Sequence, residues 1–487
     1  MPKEALLSDD SSLAHQQPTL VVDMDGTLIR TDMLYETFWS AFSRNLATPL
    51  LSVQSLLKGR AALKGRLANL SQIDPTTLPI REEVVAYVKR WKDNGGRTVL
   101  ATASNQSLAN LVADHLGIFD TVHGSTETVN LKSEAKAALL QSHYGTEGFY
   151  YIGDSVADLP VWSKSRRAIV INPSARLLGE LGKEGVQVES LTTETNNFGS
   201  LIKTIRPHQW LKNLLVFLPL LAAHNFTGDA ILRATLAFIA FCLVASSVYV
   251  LNDLLDLGPD RAHRRKRHRP LASGKMSVSQ ATWIAPLLLI AGLAVGSTLG
   301  FMFTSVLGAY YVITLLYSFV LKRRIVIDIC ALAGLYTIRI VAGGVATNIV
   351  LSVWLLAFSI FIFFSLAAVK RQAELVAGVA TGEVTAHGRG YHVDDLPLVA
   401  MFATASGYLS VLVLALYVNT PSVLSLYSSP TVLLGICLVL LYWVTRMVMV
   451  THRGRMTDDP IVFAAKDRIS QLCLLLIAGL VVAGTIL

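Results

Sequence analysis

The C-terminal part of the chain is a succession of long apolar stretches, which limit the fold more than any other feature. A membrane-spanning helix needs roughly 17–25 predominantly apolar residues, and from about Leu211 onward the sequence offers about nine such stretches. Because hydrocarbon offers no partner to an unpaired backbone amide, each stretch is expected to be a helix. The spans are predicted at 211–226, 231–251, 281–299, 302–321, 326–346, 351–369, 397–418, 430–450 and 470–487.

The basic residues between these spans predict an orientation. Loops on one side carry clusters such as Arg261–Lys275 and Lys322-Arg323-Arg324, whereas the opposite loops, around 225–230, 347–350 and 419–430, contain no Lys or Arg. Basic loops face the cytoplasm. We therefore expect an inner-membrane protein with a cytoplasmic N-terminal domain and, after an odd number of spans, an extracytoplasmic C-terminus. These loops also account for the net charge of +8, so no nucleic-acid partner is predicted; a homo-oligomer is left open.

The N-terminal part has the alternating composition of a soluble protein. Residues 1–17 are polar and predicted to be a disordered tail, residues 18–195 to form a soluble domain, and residues 196–487 to form the membrane domain. Thr19–Val22 is predicted to be a short buried strand followed by Asp23-Met24-Asp25-Gly26-Thr27, at the strand end where open α/β sheets bind ligands. Two carboxylates and a glycine turn suit a nucleophile, a proton donor and a metal ligand, although this motif alone is also compatible with a surface turn.

Three further motifs follow in order. A second predicted strand, 99–101, ends at Thr102; Lys136 lies in the segment KAALL, with Lys132 as an alternative cation; and Gly153-Asp154-Ser155-x-x-Asp158 follows a third strand. With the DxDGT segment, these motifs resemble those of the haloacid dehalogenase superfamily, mostly phosphohydrolases, over residues 18–190.

This resemblance implies a Rossmann-like α/β domain with a small helical cap at about 31–95. It implies that Asp23 attacks phosphorus to form an aspartyl-phosphate, while Asp25 protonates the leaving oxygen and later activates water. For the basic cap residues, contact with a phosphate or with lipid headgroups and a solvated helix face both remain open; they are Lys58, Arg60, Lys64 and Arg66. The residues implied to bind Mg²⁺ are Asp23, Asp25, Asp154 and Asp158, and those implied to bind the phosphoryl group are Thr102 and Lys136.

A second acidic cluster lies at the end of the second predicted span, within 252–275, the aspartate-rich segment. Asn252, Asp253, Asp256 and Asp260 are followed at once by a dense run of Arg, Lys and His. Like charges at helical spacing repel one another, so the cluster predicts a divalent cation that holds a diphosphate. The alternative, a positive loop that only fixes topology, leaves the aspartates unexplained. Because Gly258-Pro259 interrupts the segment, Asp260 is expected on a loop.

The pattern Asn252-Asp253-x-x-Asp256-x-x-x-Asp260-Arg261, followed by Arg269-Pro270, resembles the first aspartate-rich motif of UbiA-type intramembrane prenyltransferases. The segment Arg206-Pro207-x-Gln209-Trp210-x-Lys212-Asn213 resembles the decaprenyl-phosphate phosphoribosyltransferase branch, and the later polar residues around Lys322, Arg339 and Lys370-Arg371-x-x-Glu374 agree with it. Arg339 follows Asp328 by eleven residues, about three helical turns, so a polar pair that joins helices is the alternative for these two.

The branch implies an all-α multi-pass bundle that transfers phosphoribose from phosphoribosyl pyrophosphate to a polyprenyl phosphate. One Mg²⁺ is expected in each domain, and the soluble domain would remove the 5-phosphate to give polyprenyl-phosphoryl ribose for cell-envelope arabinan synthesis. The catalytic residues implied here are Asp253 and Asp256, the metal ligands Asn252, Asp253, Asp256 and Asp260, and the substrate contacts Lys212, Asn252, Arg261, Lys266, Arg269, Lys322, Arg339, Lys370, Arg371 and Glu374.

Three alternatives are left open by the sequence. The membrane domain could attach a prenyl chain to an aromatic acceptor, with the phosphatase acting on an unrelated substrate. It could be a transporter or lipid-binding protein that tolerates loss of Asp253 and Asp256. Finally, the soluble domain could sense phosphate without hydrolysing it, although the intact Asp23, Asp25 and Lys136 argue against that.

Overall fold

The computed structural model describes residues 18–146, 148–193, 198–381, 390–424, 426–456 and 459–486. The predicted tail, residues 1–17, lies outside them. The chain forms two compact units. The first comprises the described residues up to Thr204 together with Val250–Ile284, and the second comprises Ile205–Tyr249 and Ala285–Leu487. The first unit therefore includes the aspartate-rich segment, which the sequence assigns to the membrane domain.

A six-stranded, fully parallel sheet organises the first unit, with strand order β3-β2-β1-β4-β5-β6. Leu20, Val21 and Val22 of β1 are all completely buried, as expected for a strand covered on both faces. The order reverses at β1, which is the point where doubly wound sheets bind ligands. The strands are β1 (Thr19–Val22), β2 (Thr98–Asn105), β3 (Thr121–Ser125), β4 (Phe149–Gly153), β5 (Arg167–Ile171) and β6 (Val188–Leu191).

Side chains alternate between two cores on the faces of this sheet. Leu20 and Val22 belong to one apolar cluster and Val21 to the other, in line with the two-residue period of a strand. The predicted α/β class and the helical character of the cap are confirmed. The helices are α1 (Met33–Phe42), α2 (Thr48–Leu57), α3 (Arg60–Leu70), α4 (Glu82–Asp93), α5 (Gln106–Leu116), α6 (Glu134–Tyr144), α7 (Leu159–Trp162), α8 (Ala175–Lys183) and α9 (Phe198–Ile205).

Among the described residues, eight helices are long and apolar enough to cross a membrane, not about nine. The predicted span 211–226 is not one long helix but a 3₁₀ segment, Pro207–Phe217, followed by a short helix. Pro219 there cannot donate an N–H to a continuing helix. The helices after α9 are α10 (Leu218–Ala222), α11 (Gly228–Leu255), α12 (Leu257–Ala262), α13 (Val278–Ser297), α14 (Phe301–Phe319), α15 (Ile327–Thr347), α16 (Val353–Thr381), α17 (Leu396–Val418), α18 (Pro421–Leu424), α19 (Leu434–His452), α20 (Pro460–Lys466) and α21 (Arg468–Ile486). The eight spans are α11, α13, α14, α15, α16, α17, α19 and α21.

Small residues allow the helices of the second unit to approach closely. A Cβ added to Gly343 would lie 2.0 Å from the carbonyl oxygen of Val216, and one added to Gly407 would lie 2.3 Å from a methyl group of Val444. Ser365 Oγ donates a hydrogen bond of 2.6 Å to the carbonyl oxygen of Ala403. Such contacts are typical of helix packing in membranes, where dispersion replaces the hydrophobic effect between helices.

The prediction that Asp260 lies on a loop is wrong. Pro259 is the third residue of α12, in the first turn, where a missing N–H breaks no helical hydrogen bond. The Asp260 amide donates to the carbonyl oxygen of Asp256 at 2.8 Å. Proline therefore starts this short helix, and it places Asp260 in a buried position.

Candidate active sites

The carboxyl end of β1 presents Asp23 to a buried lysine. Lys136 Nζ lies 2.7 Å from Asp23 Oδ1 and 3.6 Å from Asp158 Oδ1. The chain then turns at Gly26, whose φ is +75°, and a Cβ at that position would lie 2.4 Å from Asp154 Oδ2. Glycine is thus required twice at this turn, for the positive φ and for the approach of the Asp154 carboxylate.

Asp23, Asp154 and Asp158 form an acidic group. One ligand atom from each lies within 4.8 Å of the other two, and no other group of three among the described residues meets this criterion. Asp158 is fixed by the Tyr151 hydroxyl, which donates to its Oδ1 at 2.8 Å. Three carboxylates at this spacing match the hard oxygen ligands of Mg²⁺. The three residues therefore fit the Mg²⁺ that the sequence predicts in this domain.

The electrostatics of this group also favour a bound cation. Burial raises the pKa of Asp23 well above its ordinary value, and Lys136 only partly opposes this. Burial, followed by the negative charge of Asp158, raises the pKa of Asp154 to about 6. Carboxylates that repel one another in a desolvated site are stabilised by a divalent ion, which reverses the local electrostatics.

Asp25 is held away from that group by three hydrogen bonds. Its Oδ2 accepts from the Ser104 hydroxyl at 2.7 Å and from the Thr102 hydroxyl at 3.1 Å, and its Oδ1 accepts from the Met33 amide at 2.8 Å. Thr102, predicted to hold the phosphoryl group, is completely buried and contacts Asp25. This arrangement fixes the orientation of the Asp25 carboxylate, to which the sequence assigns an acid–base role.

A cavity of about 820 Å³ lies above these carboxylates. The cap contributes Leu56, Arg60 and Lys64 to its wall, and Lys132 and Ser104 lie in the wall as well. Lys64 Nζ donates to Asn130 Oδ1 at 2.9 Å, and burial lowers the pKa of Lys64. The residues that line it from the start of α13 are Ser277, Ser279 and Trp283.

In the aspartate-rich segment, Arg269 joins two of the carboxylates. Its Nη1 lies 2.5 Å from Asp260 Oδ2 and 3.2 Å from Asp253 Oδ1, and Lys266 Nζ lies 3.8 Å from Asp260 Oδ1. Asp253 lies in the last turn of α11, and Asp256 follows that helix directly, with its amide donating to the carbonyl oxygen of Asn252 at 2.9 Å. The spacing of three residues places the two on similar faces. Since Mg²⁺ is commonly held by one or two carboxylates together with substrate phosphates, these two residues fit such an ion.

Arg261, predicted to contact phosphate, binds a residue of the cap instead. Its Nη2 and Nη1 lie 2.7 and 3.0 Å from the two oxygens of Glu36, and its Nε donates to the carbonyl oxygen of Ala272 at 3.1 Å. Glu36 also accepts from the Thr31 hydroxyl at 2.7 Å. This pair could not be predicted from the sequence, because its members are 225 residues apart.

In the second unit, two lysines share one carboxylate. Asp459 Oδ2 lies 2.6 Å from Lys212 Nζ and 3.3 Å from Lys370 Nζ, and the Tyr336 hydroxyl lies at 3.5 Å. Burial alone would raise the pKa of Asp459, but Lys212 and Lys370 lower it to about 2. We name five residues the Asp459 cluster: Asp459, Lys212, Lys370, Tyr336 and Arg339.

Arg339 is 5% exposed and satisfied by neutral partners. Its Nε donates to Asn213 Oδ1 at 2.8 Å, its Nη2 donates to the Tyr310 hydroxyl at 3.0 Å, and the guanidinium lies 4.8 Å from the centre of the Tyr310 ring. It does not pair with Asp328. The polar pair that the sequence left open between these two residues is therefore absent from the structure.

Asp328 instead pairs with Arg371, a predicted substrate contact on the following helix, α16. Arg371 Nε lies 2.7 Å from Asp328 Oδ2, both side chains are completely buried, and Arg371 also binds Glu374. The Tyr391 hydroxyl donates to Asp328 Oδ1 at 2.6 Å. Lys322 lies in the 3₁₀ turn Leu321–Arg323, and Asn252 lies half-buried near the end of α11.

A sequence model of the UbiA prenyltransferase family matches residues 214–484, more than half of the chain. The chain belongs to the UbiA prenyltransferase family. A model of haloacid dehalogenase-like hydrolases matches residues 20–163. The predicted fusion of a haloacid dehalogenase-type phosphatase domain with a UbiA transferase is thus confirmed, and the long apolar helices make this UbiA protein a multi-pass membrane protein.

Relatives of this UbiA protein cover it to different extents. Uncharacterized protein y4nM of Sinorhizobium fredii is 37% identical over 465 residues, which are 94% of this chain and 90% of the relative. Nodulation protein NoeC of Azorhizobium caulinodans is 38% identical over 58% of this chain and 93% of its own. Decaprenyl-phosphate phosphoribosyltransferase of Mycolicibacterium smegmatis is 41% identical over 193 residues, 38% of this chain, and the chain spans about 60% of that relative's length.

Several residues of these UbiA and phosphatase sites were given no role from the sequence. Ser104 follows Thr102 by two residues on the same strand, and the period of a strand places both on one face, so it could have been found. Asp459 stands in a polar Asp-Asp-Pro segment between two predicted spans, which is a signal that could have indicated it. Asn213 closes the Arg206–Asn213 segment that resembled the decaprenyl-phosphate phosphoribosyltransferase branch, but it was given no role of its own. Tyr310, in the middle of α14, gave no such signal.

Proposed function

We propose that this UbiA-family protein transfers 5-phosphoribose from phosphoribosyl pyrophosphate to a polyprenyl phosphate and then removes the 5-phosphate. The 41% identity to a decaprenyl-phosphate phosphoribosyltransferase supports the first activity. The group of Asp23, Lys136 and Asp154 supports the second. The product would be polyprenyl-phosphoryl ribose, a precursor for cell-envelope arabinan.

The observation that carries the transferase proposal is the charge of the Asp459 cluster. Three cationic side chains, those of Lys212, Lys370 and Arg339, are opposed by one carboxylate, that of Asp459, among the described residues of this unit. Uncompensated charge in an apolar helical bundle is costly and marks a functional site. A surplus of positive charge indicates an anionic ligand, and the phosphate groups of the two substrates provide one.

The transfer breaks the bond between the anomeric carbon of ribose and the pyrophosphate oxygen. A phosphate oxygen of the polyprenyl phosphate forms the new bond at that carbon, and pyrophosphate leaves with the electron pair. Asp253 and Asp256 would hold the Mg²⁺ that neutralises charge on the leaving group. Lys212 and Lys370 would orient the phosphate groups, and Arg371 and Glu374, with Asp328, would fix the helices that carry them.

Hydrolysis in the soluble domain would proceed through Asp23. Its carboxylate attacks the phosphorus of the 5-phosphate, and the ribose O5 leaves with a proton from Asp25. Asp25 then takes a proton from the water that hydrolyses the aspartyl-phosphate. Lys136 offsets the charge of Asp23 and of the incoming phosphoryl group. Asp23, Asp154 and Asp158 would hold the Mg²⁺ that this chemistry requires.

We further propose an inner-membrane protein whose phosphatase domain and basic loops face the cytoplasm. The asymmetry of Lys and Arg between the predicted loops supports this orientation. Both phosphorylated substrates would then be supplied from the cytoplasmic side. Because the two domains share one chain, the product of the first is presented to the second at high effective concentration.

One experiment tests both activities. Full-length protein in nanodiscs is incubated with Mg²⁺, phosphoribosyl pyrophosphate and a polyprenyl monophosphate, and the lipids are analysed by mass. We expect polyprenyl-phosphoryl ribose from the wild type, no sugar transfer by Asp253→Ala, and retention of the 5-phosphate by Asp23→Asn. Asp229→Asn, which alters an exposed ion pair on α11, is the control. Product formation only from a prenyl diphosphate and an aromatic acceptor would refute the proposal.

A further inference from the structure

Helix α2 of the cap has an exposed apolar face. Leu50, Val53 and Leu57 recur at intervals of three and four residues, which places them on one side of the helix. They are 63%, 57% and 85% exposed, and Leu46, just before the helix, is 65% exposed. Soluble domains rarely leave a contiguous apolar patch uncovered. A partner is therefore expected on this face.

The charge around α2 indicates what kind of partner this is. Residues 37–73 contain five Lys and Arg and no Asp or Glu. Three of the basic residues, Arg44, Lys58 and Arg60, are exposed and lie just before and just after α2. An apolar helix face flanked by cations is typical of helices that lie in the surface of a bilayer with anionic lipids.

The cap is also attached to a helix that enters the membrane. Trp39 Nε1 donates a hydrogen bond of 2.8 Å to Thr282 Oγ1, which is the fifth residue of α13. Trp39 packs against Phe38 and Phe42, with ring centres 5.3 and 5.6 Å apart. Trp283, the next residue of α13, is 69% exposed, and exposed tryptophan is enriched at the level of the lipid headgroups. The first turns of α13 therefore fix the cap near the depth at which a bilayer begins.

The wall of the phosphatase cavity extends this apolar surface. Leu56 of α2 and Trp283 of α13 both line the cavity above Asp23, and Trp283 is 69% exposed. The cavity wall thus includes a residue of the apolar cap helix and one of the membrane-spanning helix. Lys136 and the carboxylates line the same cavity.

We propose that α2 lies in the surface of the lipid bilayer, with Leu50, Val53 and Leu57 inserted below the headgroups and the flanking Arg and Lys residues bound to anionic lipid phosphates. The cavity then receives a phosphate monoester whose lipid tail stays in the bilayer. The insertion of α2 does not depend on the proposed function. The use of a membrane-held substrate rests on the proposed phosphatase activity.

Photo-crosslinking tests the insertion. A benzophenone amino acid is placed at Val53 or Leu57 in the full-length protein, in nanodiscs of phosphatidylcholine and phosphatidylglycerol. The matched control is Leu178, a 40% exposed leucine of α8. We expect phospholipid adducts, detected by mass, at least tenfold more abundant at positions 53 and 57 than at 178. Equal yields, or adducts mainly to another protein chain, would overturn the proposal.

Hydrolysis measurements test the consequence. The double variant Val53→Glu/Leu57→Glu is compared with Leu178→Glu on soluble p-nitrophenyl phosphate and on the lipid product of Asp23→Asn, reconstituted in vesicles. We expect about tenfold slower hydrolysis of the lipid by the double variant, with an unchanged rate on the soluble ester. Unchanged rates on both substrates, or an equal loss on both, would overturn the proposal. Absence of any hydrolysis by the wild type would instead refute the phosphatase function and leave the crosslinking result standing.

Discussion

The Glu36 carboxylate binds the Arg261 guanidinium through two nitrogens, at 2.7 and 3.0 Å, and both side chains are almost completely buried. Glu36 lies on α1, whose first residue, Met33, donates its amide to Asp25. Arg261 follows Asp260, which shares Arg269 with Asp253. Polar contacts, linked by short stretches of backbone, therefore connect Asp25 to the aspartate-rich segment.

Removing one member of this pair should destabilise the first unit strongly. Glu36→Ala leaves a buried charge without its partner, which typically costs about 3–5 kcal/mol. We expect a large fall in the temperature at which hydrolysis of p-nitrophenyl phosphate is lost. Asp229→Asn, which breaks an exposed pair with Arg233, should have almost no effect. Glu36→Leu combined with Arg261→Met should recover much of the loss, and a double variant as unstable as Glu36→Ala would contradict this account.

A methyl group at Gly26 should abolish phosphatase activity. Gly26→Ala would force a Cβ to 2.4 Å from Asp154 Oδ2 at a φ of +75°, so Asp154 must leave its position among the proposed Mg²⁺ ligands. We expect hydrolysis of p-nitrophenyl phosphate to fall at least a hundredfold while transfer to polyprenyl phosphate continues. Gly179→Ala, on a helix with nothing within 4 Å of the new Cβ, is the control and should keep full activity.

The sequence could predict the phosphatase site because its motifs follow parallel strands. Strand ends meet at one edge of such a sheet, so Asp23 and Asp154 had to come together. Contacts between distant segments could not be predicted in this way. The sequence predicted Arg371 to contact substrate and left open a polar pair between Asp328 and Arg339. In the structure, Arg371 and Asp328 bind each other. Pro219 and Pro259 each lie in the first turn of a short helix. The first interrupts the long helix predicted at 211–226, and the second keeps Asp260 on a helix.

Removal of Mg²⁺ should make the stability of the phosphatase domain depend on pH. The pKa of Asp154 is raised by burial to about 6 from an ordinary value of 3.8. A raised carboxyl pKa favours folding while the group is protonated. This contribution is complete below pH 3.8 and is lost as the pH rises through about 6. The shift corresponds to at most about 3 kcal/mol.

In EDTA, we therefore expect the protection of the peptides that cover β1 and β4, which is their exchange relative to the intrinsic rate at each pH, to fall between about pH 4 and pH 6. Added Mg²⁺ should slow this exchange above pH 6, where the carboxylates are charged. Asp154→Asn serves as the matched variant, and its exchange in EDTA should change less with pH. Identical pH profiles for the variant and the wild type would show that Asp154 is not the group responsible.

The surplus positive charge of the Asp459 cluster should be measurable as anion binding. Pyrophosphate binds the folded protein and so should raise its melting temperature by mass action. Lys370→Met removes one of the three cations without touching the phosphatase site, so it should reduce this stabilisation and raise KM for phosphoribosyl pyrophosphate at least tenfold. Asp459→Asn should act in the opposite direction on anion affinity, since it removes the competing carboxylate.

Arg446→Met is the matched control, because Arg446 is balanced by Asp467 at 2.6 Å and its loss leaves no cation missing from the cluster. Equal pyrophosphate stabilisation in Lys370→Met and Arg446→Met would mean that the charge around Asp459 serves only to hold helices together.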